Sequence, residues 1–145
     1  MIVRPCRLLP VAFLTLVILA CNSQQNAASP PDPVAALQVI PPADSAQSER
    51  IRDMKKWKNP YLIVRADGVV LYDSADSAEI LLKTDDLLSA LAKLPAANWP
   101  YGRVVAAAEA ARKSEDDAVA IRRNKGIVGG MLEGAHVAVK WVPTA

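Results

Sequence analysis

The 145 residues carry 17 Lys and Arg against 15 Asp and Glu, and 52% of them are apolar. That apolar share is enough for a core, while the near-balance of charge supplies no bulk basic surface for nucleic acid. Two cysteines and a single histidine leave little for a disulfide framework, thiol catalysis or a histidine-based metal site.

The chain opens with Arg4 and Arg7, followed by a twelve-residue apolar stretch from Leu8 to Leu19, then Ala20 and Cys21. A cationic start, an apolar run and a small residue before a break are the layout of a secretory signal peptide. A spanning helix needs ~20 apolar residues. This run is shorter, is interrupted by Pro10 and stops before the polar stretch Asn22 to Asn26, so a permanent membrane span is the weaker alternative. Ile18-Leu19-Ala20-Cys21 resembles a bacterial lipobox. The resemblance implies a signal peptide over 1–20, cleavage before Cys21, and a lipid chain on the Cys21 sulfur. Asn22, where inner-membrane lipoproteins often carry Asp, implies an outer-membrane lipoprotein facing the periplasm. The outer leaflet of the inner membrane is the alternative. Cleavage removes Cys6, Arg4 and Arg7, which leaves 15 cations against 15 acids and no free thiol in the folded part.

Residues 21–48 read as a lipidated cysteine followed by a disordered, Pro-rich linker. Pro30, Pro31, Pro33, Pro41 and Pro42 sit among Ala, Ser, Gln and Asn, a mixture poor in surface to bury. As a coil, the 27 residues from Asn22 to Ser48 average ~30 Å end to end. Val34 to Ile40 is an apolar island, either lying on the domain, disordered, or a partner-binding motif. From Glu49 to Lys58 cations dominate, and Ile51, Met54 and Trp57 recur every three residues. That spacing places them along one side of a short basic helix, which either lies on an anionic surface or caps the core.

Tyr61 to Ala66 and Val69 to Asp73 are β-rich runs, and the Asp67-Gly68 between them predicts a hairpin with a type I′ turn. Thr84-Asp85-Asp86 reads as an N-cap with acids in the first turn. Leu87, Leu88, Leu91 and Leu94 form the apolar stripe of a helix that Pro95 ends. Gly102 to Ala111 fits either a helix by its alanines or a buried strand by Val104-Val105. Ser114 to Asp117 reads as a capping box, and Ile121, Val128 and Leu132 mark the inner face of the helix that follows. Gly129-Gly130 is a candidate kink and Gly134 a candidate terminator. Val137, Val139 and Trp141 alternate with His136, Ala138 and Lys140, the pattern of a last strand.

Reading the Gly102 run as a strand gives the order β-β-α-β-α-β. The hairpin YLIVRADGVVLYD, the helix DDLLSALAKLP, the run YGRVVAAAEA and the strand HVAVKWVP are similar in order and pattern to the periplasmic domain of the ExbD/TolR family. The resemblance covers about 85 residues. It implies a dimerising or partner-binding module that contacts an envelope protein or peptidoglycan. That family's membrane helix carries a proton-path aspartate. No acid lies within residues 1–20 here, so that role does not carry over.

The expected fold is a small two-layer α+β domain over 49–145, with helices on one face of the sheet. Its expected role is non-catalytic, as a lipid-anchored binding module with no cofactor and no metal. The candidate partner surface is Trp57, Trp99, Tyr101, Trp141, Lys55 and Lys56. The partners are the membrane through Cys21, an envelope protein or peptidoglycan, and in the homodimer reading a second copy. An accessory subunit of an export or energy-transducing complex is the main alternative. An enzyme acting on cell-wall material comes third, with Glu109, Asp116, Asp117, Asn124 and His136 as its polar candidates. A general base needs a poised partner within hydrogen-bond reach, and paired acids at a helix start are ordinarily caps.

Overall fold

A computed structural model describes residues 31–73 and 78–143. The expectations for the signal peptide and for Cys21 lie outside the described residues. The fold grows from the hairpin. β1 (Tyr61–Arg65) and β2 (Gly68–Asp73) pair antiparallel, with Leu62 opposite Leu71 and Val64 opposite Val69. All four are buried, as period-two alternation requires of one face. The turn falls one residue earlier than expected. Ala66 and Asp67 form the link, Arg65 faces Gly68 across it, and neither linking residue has a positive φ. A type I′ turn needs two positive φ values, so the turn is of another type. Gly68 is required for a different reason. Its φ is 150°, and a Cβ there would lie 2.3 Å from the Leu82 carbonyl oxygen, so the next strand closes on bare backbone.

That next strand, β3 (Ala78–Leu82), is missing from the expected order. It pairs antiparallel with β2, with Leu71 opposite Ile80 and Val69 opposite Leu82. Ala, Glu and Leu favour helix by propensity, and the pairing overrides it. β4 (Val104–Glu109) runs parallel to β1, and β5 (Ala138–Trp141) parallel to β4. The five strands lie in the order β3-β2-β1-β4-β5. Residues 104–108 are all buried, the continuous apolar run of a strand covered on both faces. Val105 and Ala107 face the main core, while Val104 and Ala106 face a second cluster around Trp57.

Three helices share the main-core face: α1 (Pro33–Gln38), α3 (Leu87–Ala92) and α4 (Glu115–Gly134). Leu87 and Leu91 are fully buried, and Leu88 and Leu94 pack at the margin. Thr84 is not the cap expected of it: a 3-10 turn over Thr84–Asp86 precedes α3, and Lys83 before that turn makes no side-chain capping bond. Ser114 does cap α4, its Oγ accepting the Asp117 N–H at 3.1 Å. Ile121, Val128 and Leu132 are buried, and the helix continues through Gly129, Gly130 and Gly134. His136, at φ 55°, makes the left-handed exit instead. Its N–H reaches the Glu133 carbonyl at 2.9 Å, and the Val137 N–H reaches that of Leu132 at 2.8 Å. Those two bonds are the Schellman pattern.

The described part of the Pro-rich stretch departs most from expectation. α1 has Pro33 at its start and Asp32 as its cap. Leu37 is wholly buried in the main core, with Val34 and Ile40 packed beside it. The Pro41 carbonyl accepts the Arg103 N–H at 2.8 Å, and Gln38 Nε2 donates to the Ala135 carbonyl at 2.9 Å. The folded body therefore includes residues 32–48 and does not start at Glu49. Average composition hides the cause, a three-residue apolar spacing at Val34, Leu37 and Ile40. Residues 49–58 likewise do not form one helix. α2 (Ser45–Arg50) ends before Ile51, and a 3-10 turn follows over Met54–Lys56. Ile51, Met54 and Trp57 still cap the core, but on the sheet's other face over β4. The fold is the expected small two-layer α+β domain, with α1, α3 and α4 on one face of the sheet and the 51–57 stretch covering β4 on the other.

Candidate functional site

β1 and β4 lie side by side and parallel. From β1 the chain turns to β2 on one side, and from β4 it returns through α4 to β5 on the other. At the carboxyl ends of the two strands, the hairpin link Ala66-Asp67 and the connection over 110–113 wall a crevice. A cleft of about 440 Å³ is found there, within the ~300–1,000 Å³ range of small-ligand sites. Its apolar lining includes Ile63, Val70 and Ile121. The first two lie on the face opposite Leu62 and Val64, and Ile121 comes from the second turn of α4.

Its charged lining consists of Arg65, Asp67, Glu79, Lys113 and Asp117. Three of these are held by neighbours. Arg65 donates two hydrogen bonds to Asp67, at 2.9 and 3.1 Å. Asp117 accepts the Lys113 backbone N–H at 3.2 Å and belongs to the helix cap. The Glu79 carboxylate and the Lys113 ammonium have no ion-pair partner among the described residues. They come from different walls, one from the edge strand and one from the β4–α4 connection. Glu115, Asp116 and Asp117 offset the positive end of the α4 dipole, which disfavours a phosphate there. The arrangement suits a small ligand with an amine, a carboxylate and an apolar body. Neither Glu79 nor Lys113 stands out in the sequence, because their convergence depends on β3, which local propensity conceals.

The expected partner surface is not assembled. Trp57 is buried, its Nε1 donating to the Pro60 carbonyl at 3.2 Å. Its ring centroid stands 5.3 Å from that of half-buried Tyr101, whose hydroxyl donates to the Lys56 carbonyl. Trp99 is buried in the main core on the opposite face of the sheet. Large aromatic rings at half-covered sheet faces contribute most when buried, and these two are used that way. Lys55 and Lys56 are exposed. Trp141 is 40% exposed, with the Lys125 ammonium 4.6 Å from its ring centroid. It is the most exposed of the four candidate aromatics, with Tyr101 half-buried.

Three of the five polar candidates for catalysis, Glu109, Asp117 and Asn124, are held by neighbours. Glu109 pairs with Lys125 at 2.7 Å and Arg112 at 3.0 Å. The hydrogen bond from Lys125, then that from Arg112, hold its carboxyl below the usual glutamate range. Asn124 is buried and donates to the Arg65 and Ala66 carbonyls at 2.8 and 3.2 Å, fastening α4 to the hairpin turn. Asp117 caps α4, Asp116 is exposed in its first turn, and His136 makes its exit. Among the described residues no three His, Cys, Asp or Glu side chains converge as metal ligands. No described helix is long and apolar enough to cross a membrane.

A residue that sequence reading passed over does much of the fastening. Asn59 is wholly buried, and its Nδ2 donates to the Gly102 and Val104 carbonyls, both at 2.7 Å. Its Oδ1 accepts the Tyr101 N–H at 3.0 Å. Comparison with protein-family models, with curated proteins and with solved structures finds no match to this chain.

Proposed function

We propose that this chain is a lipid-anchored binding head of the bacterial cell envelope. In this reading Cys21 carries the lipid, the outer membrane holds the anchor, and the head faces the periplasm. The observation that carries the binding half is the cleft at the ends of β1 and β4. Its lining can grip a ligand by ion pairs and apolar contact. Its acids, apart from Glu79, are engaged by Arg65 or by the helix cap, which favours holding a ligand over transferring its protons. A peptide segment of an envelope protein, or the peptide part of peptidoglycan, has the amine, carboxylate and apolar groups that fit. The ExbD/TolR-like pattern of strands and helices supports the same class of role.

The test is capture of the tethered protein from envelopes, together with sedimentation on purified peptidoglycan. Wild type is compared with Lys113→Glu and with Cys21→Ser. The proposal requires a partner or peptidoglycan retained by wild type and lost with Lys113→Glu. Cys21→Ser should release the protein from membranes and abolish labelling by a palmitate analogue. Equal retention by wild type and Lys113→Glu overturns the role given to the cleft. Absence of palmitate labelling on wild type overturns the anchor.

A further inference from the structure

β3 is an outer strand of the sheet, and among the described residues no strand lies beside its outward backbone groups. Edge strands are usually protected by proline, a bulge or inward charge. β3 contains no proline, and its pairing with β2 runs without a bulge from Ala78 to Leu82. It also exposes two neighbouring apolar side chains, Ile80 at 46% and Leu81 at 54%. Glu79 and Lys83 stand two positions either side of Leu81. Lys83 is still extended, at φ −69° and ψ 151°, so the pattern reads acid, apolar, cation on a single face.

We infer that β3 pairs antiparallel with β3 of a second copy, in the register centred on Leu81. A two-fold axis perpendicular to a sheet maps each face onto itself, so residues of the same face must stand opposite one another. Four registers that pair at least three residues satisfy this within 78–83, centred on Glu79, Ile80, Leu81 or Leu82, and the first sets Glu79 against its own copy, a like-charge pair. Centring on Ile80 sets Glu79 against Leu81, and centring on Leu82 sets Leu81 against Lys83. Only the Leu81 register sets Glu79 of each copy opposite Lys83 of the other, a favourable cross-strand pair made twice.

The same register continues the existing apolar rows. Ala108, Ile63, Val70 and Leu81 lie in one row across the open face, and Leu81 of the second copy extends it. On the other face, Ile80 gains Leu82 of the second copy as its neighbour, which covers both exposed side chains. The result is one ten-stranded sheet without a free β3 edge. Glu79 also lines the cleft, so Lys83 of each copy arrives beside the cleft of the other. Pairing needs no ligand, and neither Leu81 nor Lys83 lines the cleft, so the cross-links at those two positions are read apart from the binding proposal; Glu79 alone belongs to both.

The experiment is cysteine cross-linking of the full chain in isolated envelopes. Residues facing each other across an antiparallel pair have Cα atoms about 4.5–5.5 Å apart, within disulfide reach. Leu81→Cys should therefore give a disulfide-linked dimer above the background set by Cys6 and Cys21 in the parent chain. Lys83→Cys alone should not, since the two copies of that residue lie roughly 13 Å apart in this register. Glu79→Cys combined with Lys83→Cys should cross-link again. Charge reversal gives a second readout that spares the core. Glu79→Lys or Lys83→Glu alone should weaken the detergent-extracted dimer about tenfold by sedimentation, and the double reversal should restore it. Dimer formed equally by Leu81→Cys and Lys83→Cys overturns the register. A protein that sediments as a monomer, with no dimer from Leu81→Cys, overturns the pairing.

Discussion

Replacing Leu37 by alanine should cost the fold about 3 kcal/mol, the middle of the range for a Leu-to-Ala change in a core. Leu37 has no exposed surface and packs within the cluster formed by α1, α3, α4 and the sheet. Burial of a leucine alone is worth about 1.5–3 kcal/mol, and the cavity left behind adds to it. Little can collapse into the gap, because the Pro41 carbonyl and Gln38 side chain fix the segment just beyond α1. For a domain of this size, about 3 kcal/mol corresponds to roughly 9–15 °C in Tm. The assay is urea and thermal unfolding followed by circular dichroism, with Val39→Ala as control. Val39 is 85% exposed, and its truncation should stay within about 0.5 kcal/mol of wild type. A Leu37→Ala protein as stable as that control would refute the reasoning. Residues 33–38 would then be a loose leader, as their composition suggests.

Other outcomes follow from single fastenings. Asn59→Ala strands the Val104 carbonyl and the Tyr101 N–H, while the Gly102 carbonyl keeps the Val104 N–H, and should destabilise by about 3 kcal/mol in urea unfolding, since each buried unpaired group costs about 1–3 kcal/mol. Asn59→Asp should be no better, because a carboxylate would face the two carbonyls. His136→Gly should raise stability by about 1 kcal/mol, because glycine adopts the left-handed exit without strain; a loss of stability would contradict the Schellman assignment. Glu109 titrates below the usual glutamate range because Lys125 and then Arg112 hydrogen-bond its charged form. Its contribution to stability is therefore full above the ordinary glutamate pKa and disappears as pH falls through the lowered folded value. Carbon-detected NMR should show its carboxyl moving back up in Lys125→Met, and an unmoved titration would discount the pair.

What could be read from the sequence divides by the range of the forces involved. Local chemistry was legible at Ser114, where a hydroxyl and an acid three residues later cap α4. It was legible in the β-rich runs around Asp67-Gly68, which form the expected hairpin with its turn one residue early. Where burial is set by a distant layer, local signals misled. Ala78 to Leu82 has helix-forming residues and becomes a strand because Val69 and Leu71 lie beside it. Proline and alanine around Leu37 look like a linker, and one leucine finding the core reverses the reading. Trp57 and Trp99 look like partner anchors until the second cluster and the main core claim them. Arg65 and Lys113 end up on one cleft only because β1 and β4 run parallel, a pairing 40 or more residues apart that no local pattern encodes.

The binding proposal requires that an envelope component be held in the cleft of a tethered head. A photo-crosslinking residue at Ala111, on the cleft lining, tests it in intact envelopes. The comparison is the same probe at Val119, exposed on α4 and outside that lining. The account predicts an adduct to a peptide-containing envelope component from Ala111 that is absent from Val119 and lost with Lys113→Glu. Identical adducts from both positions, or none from Ala111, would contradict it.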